Sequence, residues 1–279
     1  MDAETIRNPG YVEGSFNYVR PMAEKPATWL YKPTPDAPLR NWEPERHTMR
    51  VEDGRAVAGE LTLDGAGFAL VPHRSATANF YDDAEVKAVY YPEVERLVKQ
   101  VSGAWRVLVF DHNVRCAPMA KQGLNAAREP VRFAHNDYTP KSAPQRVRDL
   151  LGAEAEELLK HRFAFINVWR PIRGPVEESP LAVCHAQSIK VSDFIATDLK
   201  YRDRTGEVFS VAYSPAHRWY YFPRMRSDEA LFLKCFDSAT DGRARWTAHC
   251  AFDDPSAPPD AAPRESIEVR TIAFFASLS

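Results

Sequence analysis

Long apolar runs are missing from this 279-residue chain. No stretch approaches the roughly 20 residues a bilayer-spanning helix needs, so no membrane partner is expected. The first residues, Met1-Asp2-Ala3-Glu4, are acidic and unlike a secretory leader, and a cytoplasmic location is expected. Cysteine is scarce. Cys116, Cys184, Cys235 and Cys250 are widely spaced with no Cys-x-x-Cys, so they read as reduced core or strand residues rather than a bridged framework. An excess of one charge is lacking too: 36 Lys and Arg face 38 Asp and Glu, and the net −2 argues against nucleic acid as a partner. No Gly-rich strand-to-helix turn of the kind that cradles a nucleotide occurs. No internal repeat and no separating linker are visible, so residues 1–279 are expected to form a single domain.

What is present is chemistry at a few places. In the run Phe133-Ala134-His135-Asn136-Asp137-Tyr138-Thr139-Pro140, an extended backbone points His135 and Asp137 the same way, about 7 Å apart at Cα. One imidazole and one carboxylate make two thirds of the 2-His-1-carboxylate triad that holds non-haem Fe(II) and leaves open positions. Alone, His-x-Asp is weak, since chance produces it often and a solvated His with an Asp capping a turn before Pro140 is then the favoured explanation. The C-terminal stretch strengthens it. Ala230–Phe236 is a compact β-prone run, ended by Asp237-Ser238-Ala239-Thr240-Asp241-Gly242, whose Asp-Gly pair favours positive φ. The next expected strand, Ala244–Phe252, carries His249, and the last, Glu265–Phe275, is expected to complete a hairpin with it. Arg264, Ser266, Glu268 and Arg270 share one parity, so an Arg and a hydroxyl can face the same interior as a metal. Such a pair can anchor the distal carboxylate of 2-oxoglutarate through a bidentate fork and one hydroxyl donor, with Arg270 as the alternative anchor. His217 rivals His249 as third ligand. The position of His249 between an apolar strand and the Arg-x-Ser strand favours it, which leaves His217 for the substrate pocket.

Other elements are coarser. The first 45 residues or so are Pro-rich and read as an irregular segment draped over the body. Met49–Val51, Glu60–Leu63 and Phe68–Val71 read as short strands, as do Arg106–Phe110 and Phe163–Val168. Tyr81–Ser102 has helical period, with Pro92 expected to kink or split it, and Pro144–His161 reads as an outer helix. Alternation after Phe163 puts Asn167 and Trp169 on one face and Arg170 on the other. Asn167 can hydrogen-bond a cosubstrate, and Trp169, Arg170 and Tyr220 are candidates for a substrate wall.

Several runs together resemble one family. They are Val109-Phe110-Asp111-His112 with Arg115, His135-x-Asp137, Ile166-Asn167-Val168-Trp169-Arg170-Pro171-Ile172, His217-Arg218-Trp219-Tyr220-Tyr221-Phe222-Pro223, Asp228-Glu229-Ala230-Leu231, His249 with Phe252-Asp253, and Arg264 to Arg270. From about Tyr31 onward the chain is similar to the non-haem Fe(II)/2-oxoglutarate-dependent oxygenases that include the cephamycin hydroxylation component CmcJ, fungal hydroxylase/desaturases and aziridine-forming enzymes. The resemblance implies a mostly β protein with bracing helices around a double-stranded β-helix (jelly-roll, cupin-like) barrel. It implies Fe(II) on His135, Asp137 and His249, 2-oxoglutarate as cosubstrate, and oxidation of an unactivated C–H of a small molecule of secondary metabolism. One departure is His185, where the family pattern has Asp; that position bears on substrate preference rather than on the metal. A metal-dependent non-redox enzyme or a ligand-binding barrel on the same scaffold is the alternative, and it has no use for a buried Arg264/Ser266 anchor.

Overall fold

The most apolar strands of the chain end up in one sheet, sandwiched between a second sheet and a helix. The structure, a computed structural model, describes residues 10–276. In chain order its strands are β1 (Tyr11–Val19), β2 (Ala27–Trp29), β3 (Pro44–Asp53), β4 (Phe68–Pro72), β5 (Arg106–Arg115), β6 (His135–Asn136) and β7 (Phe163–Pro171). They continue with β8 (Leu181–Cys184), β9 (Phe194–Lys200), β10 (Thr205–Val211), β11 (Trp219–Tyr221), β12 (Glu229–Asp237), β13 (His249–Ala251) and β14 (Ser266–Phe274). One sheet has nine strands in the order β1-β3-β11-β8-β13-β6-β10-β9-β2; the other has five, β4-β12-β7-β14-β5, and is antiparallel throughout.

Every residue of β7 and β12 is buried, so both faces of the five-stranded sheet are covered. Alternation sorts them. Phe165, Trp169, Leu231, Leu233 and Ile272 enter the core between the sheets, whereas Ala164, Ile166, Val168, Phe232 and Val269 pack under Val86, Tyr90, Val94 and Val98. Those last four lie on the expected helix. Asp82 caps it by accepting from the Ala84 and Glu85 N–H groups, and it runs through α1 (Asp83–Glu85), a π-turn at Val86–Tyr90 and α2 (Tyr91–Ser102). The π-turn sits just ahead of Pro92, which lacks an N–H to donate, so the expected split occurs there. Three shorter helices follow: α3 (Ala117–Lys121), α4 (Ser142–Leu151) and α5 (Ala155–Leu158).

Several expectations are corrected. The N-terminal 45 residues are not simply irregular, because Tyr11–Val19 forms β1, paired along its length with β3. Its Val12, Phe16 and Tyr18 are buried at a spacing of two or four, and the segment contains no proline; the prolines lie around it. Glu60–Leu63 buries Leu61 and Leu63 but turns, with the Ala66 and Gly67 N–H groups donating to the Thr62 carbonyl. The Pro144–His161 helix breaks at Gly152, whose φ is positive. The strand expected at Ala244–Phe252 shrinks to β13, and β13 and β14 belong to different sheets rather than to one hairpin. In a jelly roll the connection crosses the barrel, which a hairpin reading of spacing misses. Gly242 does take the left-handed turn (φ 96°) that the Asp-Gly pair favours.

One buried ion cluster ties the far end of β12 to the loop before β4. Lys234 is 1% exposed, with Nζ 2.5 Å from Asp64 and 3.0 Å from Asp237, and Arg162 reaches Asp237 at 2.7 Å. Lys234→Ala leaves Asp237 with Arg162 alone and should lower unfolding free energy by about 3 kcal/mol, the low end for a broken buried pair. Urea denaturation measures it; a loss below about 1 kcal/mol, typical of exposed pairs, contradicts the burial.

Candidate metal centre

A two-residue strand builds the centre. β6 pairs with β13 so that His135 lies directly opposite His249, with ring centroids 4.4 Å apart. Asn136 points the other way and is fully buried. Its Nδ2 donates to the Tyr138 and Cys235 carbonyls, each at 2.8 Å, and its Oδ1 accepts from the Thr247 N–H at 3.3 Å. This side chain therefore ties the turn after His135 to the segment before His249.

The imidazoles are oriented in the same manner. His135 Nδ1 donates to the Phe133 carbonyl (2.8 Å) and His249 Nδ1 to the Thr247 carbonyl (2.9 Å). Each bond reaches two residues back, sets the tautomer and leaves Nε2 with its lone pair free. Burial, and then the neighbouring His249, push His135 down to about 4, so it is neutral at pH 7. Burial alone would raise the Asp137 carboxyl, but Arg270, the two histidines and Asn167 outweigh it and hold the group below the ordinary carboxylate range. Its two oxygens have different surroundings. Oδ2 accepts from Asn167 Nδ2 (2.9 Å) and Arg270 Nε (3.3 Å), while Oδ1 lies 3.5 Å from His135 Nε2. The ligand atoms of His135, Asp137 and His249 all lie within 4.8 Å of one another. Two imidazoles, each tied through Nδ1 to a backbone carbonyl, and one ionised carboxylate are a donor set that fits a divalent transition metal.

The cavity in front of this triad is also lined by Arg115, Trp169, Arg264, Glu268 and Arg270. Arg264 is 4% exposed and donates Nη1 to the Ser179 carbonyl at 2.5 Å, and its guanidinium stands 5.5 Å from the Trp169 ring. Its Nε and the buried Ser266 Oγ have no hydrogen-bond partner among the described residues. Burial first, and Arg115 second, disfavour the Arg264 charge, a setting that an anion would relieve. Arg270 is different. It engages Asp137, Asp111 at 2.9 Å and Glu268 at 3.3 Å, so its fork is already used.

Other expectations move. Asn167 Nδ2 donates to Asp137 and, at 3.4 Å, to Glu268, so the amide orients a candidate ligand, while its Oδ1 has no hydrogen-bond partner among the described residues. Arg170 lies on the opposite face of β7. There it donates to the His73 and Ser227 carbonyls below the Phe80 and Tyr90 rings, as alternation requires. His217 bonds Asp193 at 3.1 Å and stacks on Tyr18, neither of which lines the cavity. Tyr220 packs against Phe68 and His185. Of the expected substrate wall, Trp169 alone lines the cavity. His185 caps the short turn Ala186–Ser188 by accepting the Gln187 N–H at Nδ1 (3.3 Å), a task an Asp side chain also performs. Cys250, expected to point away from the metal face, is among the residues that line the cavity, and with Cys184 it also raises the Tyr18 hydroxyl. Sequence reading passed over Asn136 and the pocket role of Arg115; the second follows only from the register that sets Arg115 opposite Ser266.

A jelly roll with a His-x-Asp…His cluster and a buried arginine that forms no ion pair among the described residues points to a class: a mononuclear metal oxygenase that takes a carboxylate cosubstrate. Comparison with known proteins agrees. A family profile described as "YDMC: Oxidoreductase/YMDC permease-like domain" matches residues 16–274. The oxidoreductase part of that description suits the site, and among the described residues no helix is long and apolar enough to cross a membrane. The chain is 34% identical to the Fe(II)/2-oxoglutarate-dependent dioxygenase nvfI of Aspergillus novofumigatus, over 95% of this chain and 97% of that one. It is 35% identical to the hydroxylase/desaturase efuI of Hormonema carpetanum, over 81% and 82%. A solved structure of the iron and alpha-ketoglutarate-dependent endoperoxidase NvfI superposes with TM-score 0.88 at 32% identity, covering 96% of this chain and 99% of the other. The chain belongs to the Fe(II)/2-oxoglutarate-dependent dioxygenase family and is an enzyme of that class.

The contest between histidines has a direct test. His249→Ala should abolish tight Mn(II) binding in calorimetry while the circular dichroism spectrum is kept, and His217→Ala should leave Mn(II) affinity unchanged. Asn167→Ala, which frees Asp137 Oδ2, should weaken Mn(II) by roughly 10- to 100-fold; an unchanged affinity would mean that Asn167 does not position the carboxylate.

Proposed function

We propose that His135 and His249, through Nε2, and Asp137, through Oδ1, hold Fe(II), and that Arg264 and Ser266 receive the distal carboxylate of 2-oxoglutarate. One observation carries the cosubstrate assignment: a guanidinium and a hydroxyl, both buried, each keep an unsatisfied polar atom beside the triad. Leaving such groups unpaired costs about 1–3 kcal/mol each, more for a charge, so their persistence marks a place reserved for a ligand. A hydrolase has no such need of a guanidinium beyond the metal.

When bound, Fe(II) and 2-oxoglutarate supply the oxidising power for C–H chemistry with O₂, the cosubstrate leaving as succinate and CO₂. The chain's own contribution is arrangement. Phe133 and Thr247 carbonyls fix the imidazole tautomers, Asn167 and Arg270 hold one carboxylate oxygen, and Trp169 and Leu181 wall the cavity with apolar surface. The substrate is a small molecule with an unactivated C–H, in secondary metabolism, and the outcome is hydroxylation, desaturation or ring closure. The relatives, hydroxylase/desaturases and an endoperoxidase by name, support that range.

Two measurements test it. Purified protein with Fe(II), ascorbate and 2-oxoglutarate should release succinate slowly even without the prime substrate, and His135→Ala or Asp137→Ala should abolish the release. Arg264→Ala should raise the apparent KM for 2-oxoglutarate by a factor on the order of ten to a thousand. Ser266→Ala should give a milder rise, about that of one neutral hydrogen bond. If neither variant shifts the KM, the cosubstrate is anchored elsewhere.

A further inference from the structure

The cavity holds more positive charge than the anchor above uses. Arg115 ends β5, and its register partner on β14 is Ser266, so the two side chains share one face. Arg115 lines the same cavity as Arg264. Its Nη1 donates to the Glu129 carbonyl at 2.8 Å, and its other N–H groups meet no acceptor among the described residues. Arg115 is also the charge that acts most strongly on Arg264. Two guanidinium groups thus stand near each other with donors to spare.

Glu268 acts on both guanidinium groups and Asp137 on Arg115, yet no carboxylate among the described residues forms an ion pair with either. Glu268 faces the cavity but goes to Arg270 at 3.3 Å and to Asn167 at 3.4 Å. Asp137 is held by Asn167 and Arg270, and the half-buried Glu178 accepts from Ser179 and is drawn toward Arg132 at 3.9 Å. Like charges kept together in a partly desolvated pocket, without an ion pair to either, are unfavourable until an anion enters. A single anion placed against Arg264 Nε, Ser266 Oγ and the spare donors of Arg115 would satisfy all three.

We propose that Arg115 is a second guanidinium of the distal-carboxylate site, gripping the 5-carboxylate of 2-oxoglutarate together with Arg264 and Ser266 and selecting a dicarboxylate over a 2-oxo acid that lacks the second carboxylate. This rests on the anchor assigned to Arg264 and Ser266. Arg115 is a cosubstrate-binding residue in this scheme, not a residue for the prime substrate. Its planar fork can give two parallel N–H donors to one carboxylate, which a lysine cannot reproduce.

The test is anaerobic calorimetry on Mn(II)-loaded protein, titrated with 2-oxoglutarate and with 2-oxopentanoate, the five-carbon 2-oxo acid without the distal carboxylate. Arg115→Gln should weaken 2-oxoglutarate by roughly ten- to a hundredfold, the effect of losing charge-assisted bonds, and leave 2-oxopentanoate unchanged. Arg264→Gln should do the same. Unchanged 2-oxoglutarate affinity in Arg115→Gln, with a loss in Arg264→Gln, overturns the role of Arg115 and spares the anchor. Unchanged affinity in both overturns the anchor and this proposal with it. If thermal unfolding shows that Arg115→Gln does not fold, Arg115→Lys keeps the charge and should still lose 2-oxoglutarate affinity severalfold, whereas wild-type affinity in that variant counts against the fork.

Discussion

The centre depends on the pairing of β6, two residues long, with β13. That contact brings His135 and His249 face to face from positions more than a hundred residues apart, and strands so short have few ladder bonds of their own. The buried amide of Asn136 supplies the missing constraint, bonding two carbonyls and one N–H drawn from three segments. A buried amide with all these bonds made is rigid, because any displacement leaves a polar group unsatisfied in a medium that cannot compensate. The carbonyls of Phe133 and Thr247 then need only aim the rings.

The inner face of the five-stranded sheet carries a second constraint. Over β5, β7 and β14 it bears Arg115, Asn167, Glu268 and Arg270 where a jelly roll would ordinarily place apolar side chains. Arg270 binds three carboxylates and Asn167 two, so the half of the face nearest the triad is internally neutralised. The half nearest Arg264 is not. This asymmetry gives the cavity a direction, from the His135, Asp137 and His249 end to the cationic end at Arg264. A molecule with a carboxylate at each end can span that arrangement without leaving a charge unpaired.

The apolar outer face of the same sheet makes the polar inner face tolerable. Ala164, Ile166, Val168 and Phe232 pack under α2 and the π-turn, and this burial holds the sheet while its other face is given over to charges. Burying side chains of this kind contributes on the order of 1.5–3 kcal/mol each for the larger ones. The buried Lys234–Asp237 pair, joined by Arg162 and the exposed Asp64, adds a fixed register at the end of β12 remote from Glu229.

Sequence alone determined the pieces whose physics is local. The parity of Arg264, Ser266, Glu268 and Arg270, the shared side of His135 and Asp137, the opposite side for Arg170 and the Pro92 break all follow from backbone geometry, which a few residues define by themselves. Tyr11–Val19 was hidden only because surrounding prolines outweighed a sound alternation. Tertiary structure decided the rest. Whether Asn167 met a cosubstrate or Asp137, whether His217 reached the cavity or Asp193, and that Arg115 stands opposite Ser266 depended on which strands paired and in what register. Such pairings join residues far apart in the chain, and their energies come from burial and from matched polar groups across the gap, so no window of sequence contains them.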